Sequence, residues 1–272
     1  MGFPKFIYGT AWKVEATIQL VKLAIKTGFR AIDTANQPKH YSEVLVGQAL
    51  LELSDENIMR EQLFLQTKFT PANGHDERIP YDPNADYEVQ VLTSFSNSLE
   101  HLHTSYVDSF LLHGPYTWPG LSDADWSVWQ AMEKLYDSGQ TKSIGISNVN
   151  IEQLKLLVNH AHIKPMVVQN RCFASTGWDR EVREFCRTHH IMYQGFSLLT
   201  ANCEVLQHNT IKKLAQHLGC TTEQMIFRFA MDVGITPLTG TSSEIHMQQD
   251  LHLDHILLSN DELMSIQTLM LE

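Results

Sequence analysis

Along this chain, short apolar runs alternate with longer amphipathic stretches, and no other feature restricts the fold so severely. A run over residues 6–10 is followed by Val14, Ile18, Val21 and Ile25, spaced by four, three and four residues, which is the spacing of one helix face. Gly28 stands just past that helix, where a C-terminal cap favours glycine. The pattern then repeats. Strands are predicted over 29–33, 63–68, 107–113, 143–147, 166–169, 191–196 and 235–238. Helices are predicted over 44–53, 87–102, 126–137 (stopped by Gly139), 151–159, 181–188, 211–218 and 222–232. Thr221 is placed to cap the last of these, and Ser259 or Asn260 to cap a C-terminal helix through Met270. The polar stretch 74–84 reads as a long loop after the third strand.

Eight strands, each followed by a helix, predict a parallel sheet with crossover connections. The length of 272 residues is close to the ~250 typical of a closed barrel. The expected class is therefore α/β, a (β/α)8 TIM barrel forming one domain over residues 1–272. An open dinucleotide-binding sheet would carry G-x-G-x-x-G after its first strand. Here that strand leads into Tyr8-Gly9-Thr10-Ala11-Trp12.

Composition limits the partners. With 31 acidic and 20 basic residues the net charge is −11, which repels nucleic-acid phosphates and anionic membranes. Neither is expected as a partner, and nothing points to an obligate protein partner. The four cysteines Cys172, Cys186, Cys203 and Cys220 form no C-x-x-C pair, so no metal site is expected and free thiols are. No apolar signal core or membrane-length run is visible, which leads to a cytoplasmic expectation.

Because both faces of a barrel strand are covered, its interior is expected to be apolar, and polar residues at C-terminal strand ends are informative. Four ends stand out: Asp33, Lys68, His113 and Ser147-Asn148. Each alone has a bland reading as a cap, a solvated lysine or a core histidine. Together, Asp33, Lys68 and His113 end strands two, three and four, so they converge at one edge of the mouth, where an acid, an ammonium and an imidazole tune one another.

The motifs carry a resemblance. Gly28-Phe29-Arg30-Ala31-Ile32-Asp33-Thr34-Ala35, Glu43 with Val46-Gly47, Tyr106-Val107-Asp108 through Leu112-His113-Gly114-Pro115, and Lys142-Ser143-Ile144-Gly145-Ile146-Ser147-Asn148 are similar to successive signatures of the aldo-keto reductase family. The resemblance spans nearly the whole chain. It implies an Asp-Tyr-Lys-His tetrad, with Asp33, Lys68 and His113 on matching positions. The tyrosine register, counted back from Glu43, falls on His40 with Tyr41 as its neighbour. Tyr41 is the expected phenol, with the loop 36–39 absorbing an insertion; the alternative has His40 facing the site. Tyr41 would protonate the alkoxide formed by hydride transfer, Lys68 would lower the phenol's pKa, Asp33 would hold that lysine, and His113 would orient the carbonyl oxygen.

The same resemblance implies a nicotinamide cofactor, NADP(H) first and NAD(H) second. Ser147, Asn148 and Gln169 would hold its carboxamide and Phe196 would stack on its ring. Ser197, Leu199, Thr239, Gly240 and Thr241 would hold the pyrophosphate. Gln249 and Asp250 would lie near the adenine, and Gly9, Thr10, Ala11 and Asp33 would complete the site. NADPH-preferring members carry a Lys and an Arg for the 2′-phosphate; the matching positions here read as Leu238 and His246, with Ser242 and Ser243 nearby. The expected activity is hydride transfer between NAD(P)H and a small-molecule aldehyde or ketone, or the reverse on an alcohol. Two alternatives remain: a cofactor-binding regulatory barrel without turnover, and a barrel enzyme whose Lys68 forms a Schiff base. Trp12, Tyr116 and Trp118 are candidate pocket or rim aromatics.

Overall fold

The structure, a computed structural model, describes residues 2–271. The apolar runs form β1 (Ile7–Gly9), β2 (Ala31–Asp33), β3 (Phe64–Phe69), β4 (Ser109–Leu112), β5 (Ile144–Ser147), β6 (Val167–Arg171), β7 (Met192–Phe196) and β8 (Thr236–Thr239). They pair in chain order and close into a parallel barrel. Tyr8 lies opposite Ile32 across β1 and β2, and Ile7 opposite Leu238 where β1 meets β8. Most strands are shorter than the sequence suggests. Residues at strand ends leave the regular ladder as the barrel opens, although the His113 N–H, just beyond β4, still donates to Phe69 O at 2.8 Å.

The helices are α1 (Thr17–Thr27), α2 (Glu43–Asp55), α3 (Tyr87–His101), α4 (Asp123–Asp137), α5 (Ile151–His160), α6 (Arg180–Thr188), α7 (Cys203–Gln207), α8 (Asn209–Leu218), α9 (Thr222–Asp232), α10 (Glu244–Leu251) and α11 (Asn260–Thr268). Gly28 ends α1 with a φ of 128°, and its N–H reaches Ala24 O and Ile25 O. That backbone conformation disfavours any side chain. Thr221 and Ser259 cap α9 and α11 through reciprocal bonds with Gln224 and Glu262. Val14 departs from expectation: it sits exposed in a 3-10 turn before α1. Helices α7 and α10 were not foreseen. The first buries only Val205, and the second only Met247 and Asp250, so neither displays an apolar stripe. Among the described residues, no helix is long and apolar enough to cross a membrane.

Apolar burial falls into two clusters. The larger fills the layer between barrel and helices. The smaller lies inside the barrel and joins Ile7, Ala31, Phe64 and Leu238, with Phe196 packed on it. One pleat step further toward the mouth the lumen turns polar, which corrects the expectation of an apolar interior. Gln66 Nε2 donates to Asp33 Oδ1 at 2.7 Å and to Gln194 Oε1 at 2.8 Å, and Gln194 Nε2 donates back to Gln66 Oε1 at 3.0 Å. Each amide satisfies another, which is what makes burying them tolerable.

Candidate active site

Above this polar layer a cavity of about 1110 Å³ opens at the C-terminal ends of the strands, larger than a pocket for one small molecule needs. Asp33 forms its floor. The acid comes from the end of β2 and Lys68 from β3, two positions of the same parity on adjacent strands, so both side chains point inward. Lys68 Nζ lies 2.7 and 2.6 Å from the two oxygens of Asp33 and 2.8 Å from Thr34 O. These three acceptors match the three N–H bonds of an ammonium. Gln66 and Gln169 donate to Asp33 as well, at 2.7 and 3.0 Å. A buried ion pair with its remaining lone pairs filled in this way is tolerated. Burial pulls the Lys68 ammonium below its ordinary pKa, and the charge of Asp33 opposes that.

Lys68 is fully buried and does not line the cavity. A substrate carbonyl therefore has no path to its nitrogen, which removes the Schiff-base reading.

Tyr41 rather than His40 joins this group. Lys68 Nζ lies 5.2 Å from the centre of the Tyr41 ring, and the Tyr41 and His113 rings meet edge to face at 6.0 Å. His40 instead stacks on the exposed indole of Trp12 at 4.0 Å. The loop that carries both residues is tied down on two sides: Tyr41 N–H donates to Gln37 O at 3.0 Å, and Gln37 Nε2 to Gly74 O at 2.7 Å. One expectation is reversed. The phenol of Tyr41 is raised above its ordinary pKa, first by burial and then by the Asp33 charge. Because Lys68 is neutralised by Asp33, it offers the phenolate little net field, and desolvation prevails.

His113 lines the cavity wall. Burial and then the Lys68 charge hold its imidazole well below the usual value, so it is neutral near pH 7. Its Nδ1 lies 2.7 Å from Thr70 Oγ1.

Most residues expected to hold a cofactor line this same cavity: Gly9, Ala11, Asp33, Ser147, Asn148, Gln169, Phe196, Ser197, Leu199, Thr239, Gly240, Thr241, Gln249 and Asp250. Thr10 does not. It is fully buried, with its N–H and hydroxyl both donating to Asp33 O, at 3.0 and 2.9 Å, so its role is to lock β1 against β2. Leu238, at the position where NADPH-preferring members carry a lysine, packs on the lumen cluster and lines the cavity with an apolar side chain. Residues that the sequence reading passed over are Thr70, Arg171, Thr221 and Glu223 at the cavity wall. Lys13 Nζ bonds Gly240 O and straps the loops after β1 and β8 together. Arg171 shares the inward parity of Gln169, and that two-residue step was the signal that could have found it. Asn148 and Ser197 both hold positive φ, 52° and 57°, a conformation that collects at ligand sites.

These residues fit a nicotinamide dinucleotide. The Gln169 Nε2 group is spent on Asp33 and Gln194, leaving its Oε1 without a protein partner among the described residues. Asn148 Nδ2 is likewise spent, on His113 O at 2.9 Å. Both side chains thus present acceptors suited to a carboxamide NH2. At the far end, Asp250 is buried with Oδ2 unpartnered, and burial pushes its carboxyl up to about 7. An orphaned oxygen at a cavity wall is a place for a ligand's donor.

A closed parallel barrel with an acid, ammonium, phenol and imidazole at the mouth of a dinucleotide-sized cavity defines a class of oxidoreductases built to reduce carbonyl groups. The comparisons with known proteins agree. A sequence model of the Aldo/keto reductase family matches residues 7–270. Glyoxal reductase of Bacillus subtilis (strain 168) is 30% identical over 255 residues, covering 94% of this chain and 83% of the relative. A crystal structure of MGS-M4, an aldo-keto reductase from a Medee basin deep-sea metagenome library, superposes with a TM-score of 0.85 at 26% identity, covering 100% of this chain and 93% of the other. An aldo/keto reductase from Brucella melitensis gives a TM-score of 0.83 at 26% identity, covering 98% and 94%. The chain belongs to the aldo/keto reductase family, and is an NAD(P)H-dependent carbonyl reductase in the general sense.

Proposed function

We propose that this enzyme reduces an aldehyde or ketone, or oxidises the matching alcohol, with Tyr41 as the proton donor and acceptor. The observation that carries the reading is the placement of the Tyr41 ring at the cavity between the Lys68 ammonium and the His113 ring. A reduced nicotinamide supplies the hydride when bound. As negative charge grows on the carbonyl oxygen, Tyr41 gives up its phenolic proton to it. A phenol is a stronger acid than the alcohol it creates, even with its pKa raised by burial, so the transfer runs downhill. His113 hydrogen-bonds the same oxygen and fixes the carbonyl's orientation. Asp33 holds Lys68, and Lys68 steadies the electron-rich ring of Tyr41.

Gln169, Asn148 and Ser147 orient the carboxamide in this reading. Phe196 stacks on the nicotinamide, while the backbone at Ser197, Leu199 and Thr239–Thr241 meets the phosphates. The adenosine end is lined by Thr221, Glu223, His246, Gln249 and Asp250. Among the described residues the cavity's one lining cation is Arg171, beside Phe196 rather than at this end, so a 2′-phosphate here lacks the charge-assisted contacts that reward it. NADPH and NADH are therefore expected to bind within about tenfold of each other, a difference of about 1.4 kcal/mol. The four free thiols support a reducing, cytoplasmic setting. No observation favours the regulatory-barrel reading, because the site is complete.

The test is loss of reduced-cofactor absorbance with a panel of aldehydes, ketones and quinones, alongside quenching of protein fluorescence by each dinucleotide. Tyr41→Phe is expected to slow turnover by roughly 10²–10⁴-fold while leaving dinucleotide binding unchanged. Normal turnover in Tyr41→Phe with loss in His40→Ala would sink the assignment. Tight NADPH binding with no NADH response would sink the relaxed preference.

A further inference from the structure

We infer that Thr70 is a positioning residue whose hydroxyl donates to Nδ1 of His113, locking that imidazole in the tautomer that points an Nε2–H into the cavity. The inference deepens the reading of His113 given above and rests on it only for its effect on rate.

A neutral imidazole carries one proton, and the partner of one nitrogen decides where it sits. The Thr70 Oγ1–His113 Nδ1 contact of 2.7 Å is the only hydrogen bond of either group among the described residues. Two arrangements satisfy it. If Nδ1–H donates, the Thr70 hydroxyl proton has no acceptor in a residue only 2% exposed, and Nε2 faces the carbonyl oxygen as a bare lone pair. Two acceptors then oppose each other. If the hydroxyl donates, both Thr70 and Nδ1 are satisfied and Nε2 carries the proton. Leaving a buried donor unmade is the costly choice, so the second arrangement holds.

Thr70 itself is held rigidly. Its carbonyl accepts from Tyr81 Oη at 2.7 Å and bonds His75 Nε2 at 3.1 Å. Gly74 packs close beside the Thr70 methyl, so close that a Cβ added there would come within 2.7 Å of Thr70 Cγ2. In this setting the Thr70 hydroxyl oxygen lies 2.7 Å from Nδ1 of His113. Among the described residues no carboxylate bonds the His113 ring, so no acid competes to place a proton on Nδ1. The charged form is also disfavoured, first by burial and then by the positive or potentially positive charges of Lys68, His40 and His75.

The experiment combines long-range 1H–15N correlation on histidine-labelled protein with kinetics. The His113 signals are identified among the 14 histidines by their disappearance in His113→Gln. Wild type and Thr70→Ser are expected to show His113 protonated at Nε2. Thr70→Val, which keeps the shape and removes the hydroxyl, is expected to show Nδ1 protonation or a mixture. It should also lower kcat about tenfold or more, the scale of a misaligned catalytic group, with dinucleotide affinity unchanged and Thr70→Ser restoring the rate. Protonation at Nδ1 in wild type overturns the proposal, and this readout stands even if Thr70→Val fails to fold. An unchanged tautomer in folded Thr70→Val overturns it too. A tautomer that shifts with no loss of rate upholds Thr70's hold on the ring and instead defeats the role given to His113.

Discussion

The two ends of the barrel use the same residue types to opposite purposes. At the bottom, just before β4, Asp108 accepts from Arg60 at 2.8 Å, Lys142 at 2.9 Å and Leu65 N–H at 3.0 Å. The Tyr106 ring lies 4.2 Å from each of those two cations. At the mouth, Asp33 holds Lys68 beside Tyr41. The chemistry differs because the surroundings do. The Lys142 side chain is 54% exposed and that of Lys68 is 0% exposed. At the bottom two cations share one buried acid, and one of them, Lys142, reaches water. At the mouth a single neutralised pair is sealed beneath a phenol that opens on a pocket. An acid–cation–tyrosine group thus lies against solvent at one end of the barrel and against a cavity at the other, and the proposed function gives the two ends the stability and catalytic roles that barrels divide between their faces.

The sharpest way to break this comparison is to truncate each lysine. Lys68→Met strands Asp33 as a buried charge, and is expected to cost about 3–5 kcal/mol of stability and to lower kcat by at least about 100-fold. Lys142→Met leaves Asp108 with Arg60 and Leu65, and should cost less than about 1 kcal/mol with kcat unchanged. Thermal melts and saturating-cofactor kinetics on both variants decide it. A rate loss in Lys142→Met equal to that in Lys68→Met would erase the distinction between the ends.

Asp108→Asn comes next in size. It removes the negative charge and one of the two oxygens that two cations and a buried N–H share, at about 1–3 kcal/mol. For a chain of this size that lowers Tm by roughly 2–4 °C per kcal/mol. The folded fraction should keep its full rate, and a specific loss of kcat would show that the bottom clamp sets mouth geometry.

Acidity gives a third contrast, because only the mouth holds shifted groups that matter for turnover. Burial raises the Tyr41 phenol and lowers the His113 imidazole. The phenol therefore keeps its proton, and the imidazole stays neutral, between about pH 7 and pH 9. The kcat for reduction is expected to be flat across that window, and a basic limb inside it would show the phenol titrating early. For stability, a histidine with its folded pKa depressed contributes fully above its unfolded value of about 6.5, and that contribution is lost as pH falls below it. His101, raised by its bond to Glu43, works the other way: its contribution is full below about 6.5 and is lost as pH rises through the folded value. Melts of His113→Gln and His101→Gln across pH separate the two signs.

The smallest effect is salt. Raising ionic strength from ~0.05 to ~0.5 M shortens the screening length to a few ångströms. The exposed Lys142 contact should weaken by a few tenths of a kcal/mol, and the sealed Lys68–Asp33 pair should not respond. Double-mutant cycles with Asp108→Asn at both salt levels measure it. A salt-sensitive mouth pair would mean that water reaches it.

Much of this protein is determined by the sequence alone. Alternating apolar runs and helical faces demand a parallel barrel because backbone groups and apolar stripes are satisfied locally, within a strand–helix unit. Thr221, Ser259 and Gly28 mark helix ends for the same reason, since caps involve near neighbours. Asp33, Lys68 and His113 are legible because strand parity fixes which way they point.

What only the tertiary structure decided depends on contacts between distant segments. The choice of Tyr41 over His40 turns on a loop held by Gly74, more than thirty residues away. The sequence reading erred on Thr10 because one step of strand parity separates a cavity residue from a buried strut. Gln66 and Gln194 find each other only when the barrel closes and brings them together across the lumen. The raised phenol of Tyr41 follows first from its burial and then from the charge of Asp33, and Thr70 meets His113 only where β3 and β4 bring them together. Burial, charge compensation and hydrogen-bond satisfaction are properties of the assembled neighbourhood, and no local stretch of chain contains them.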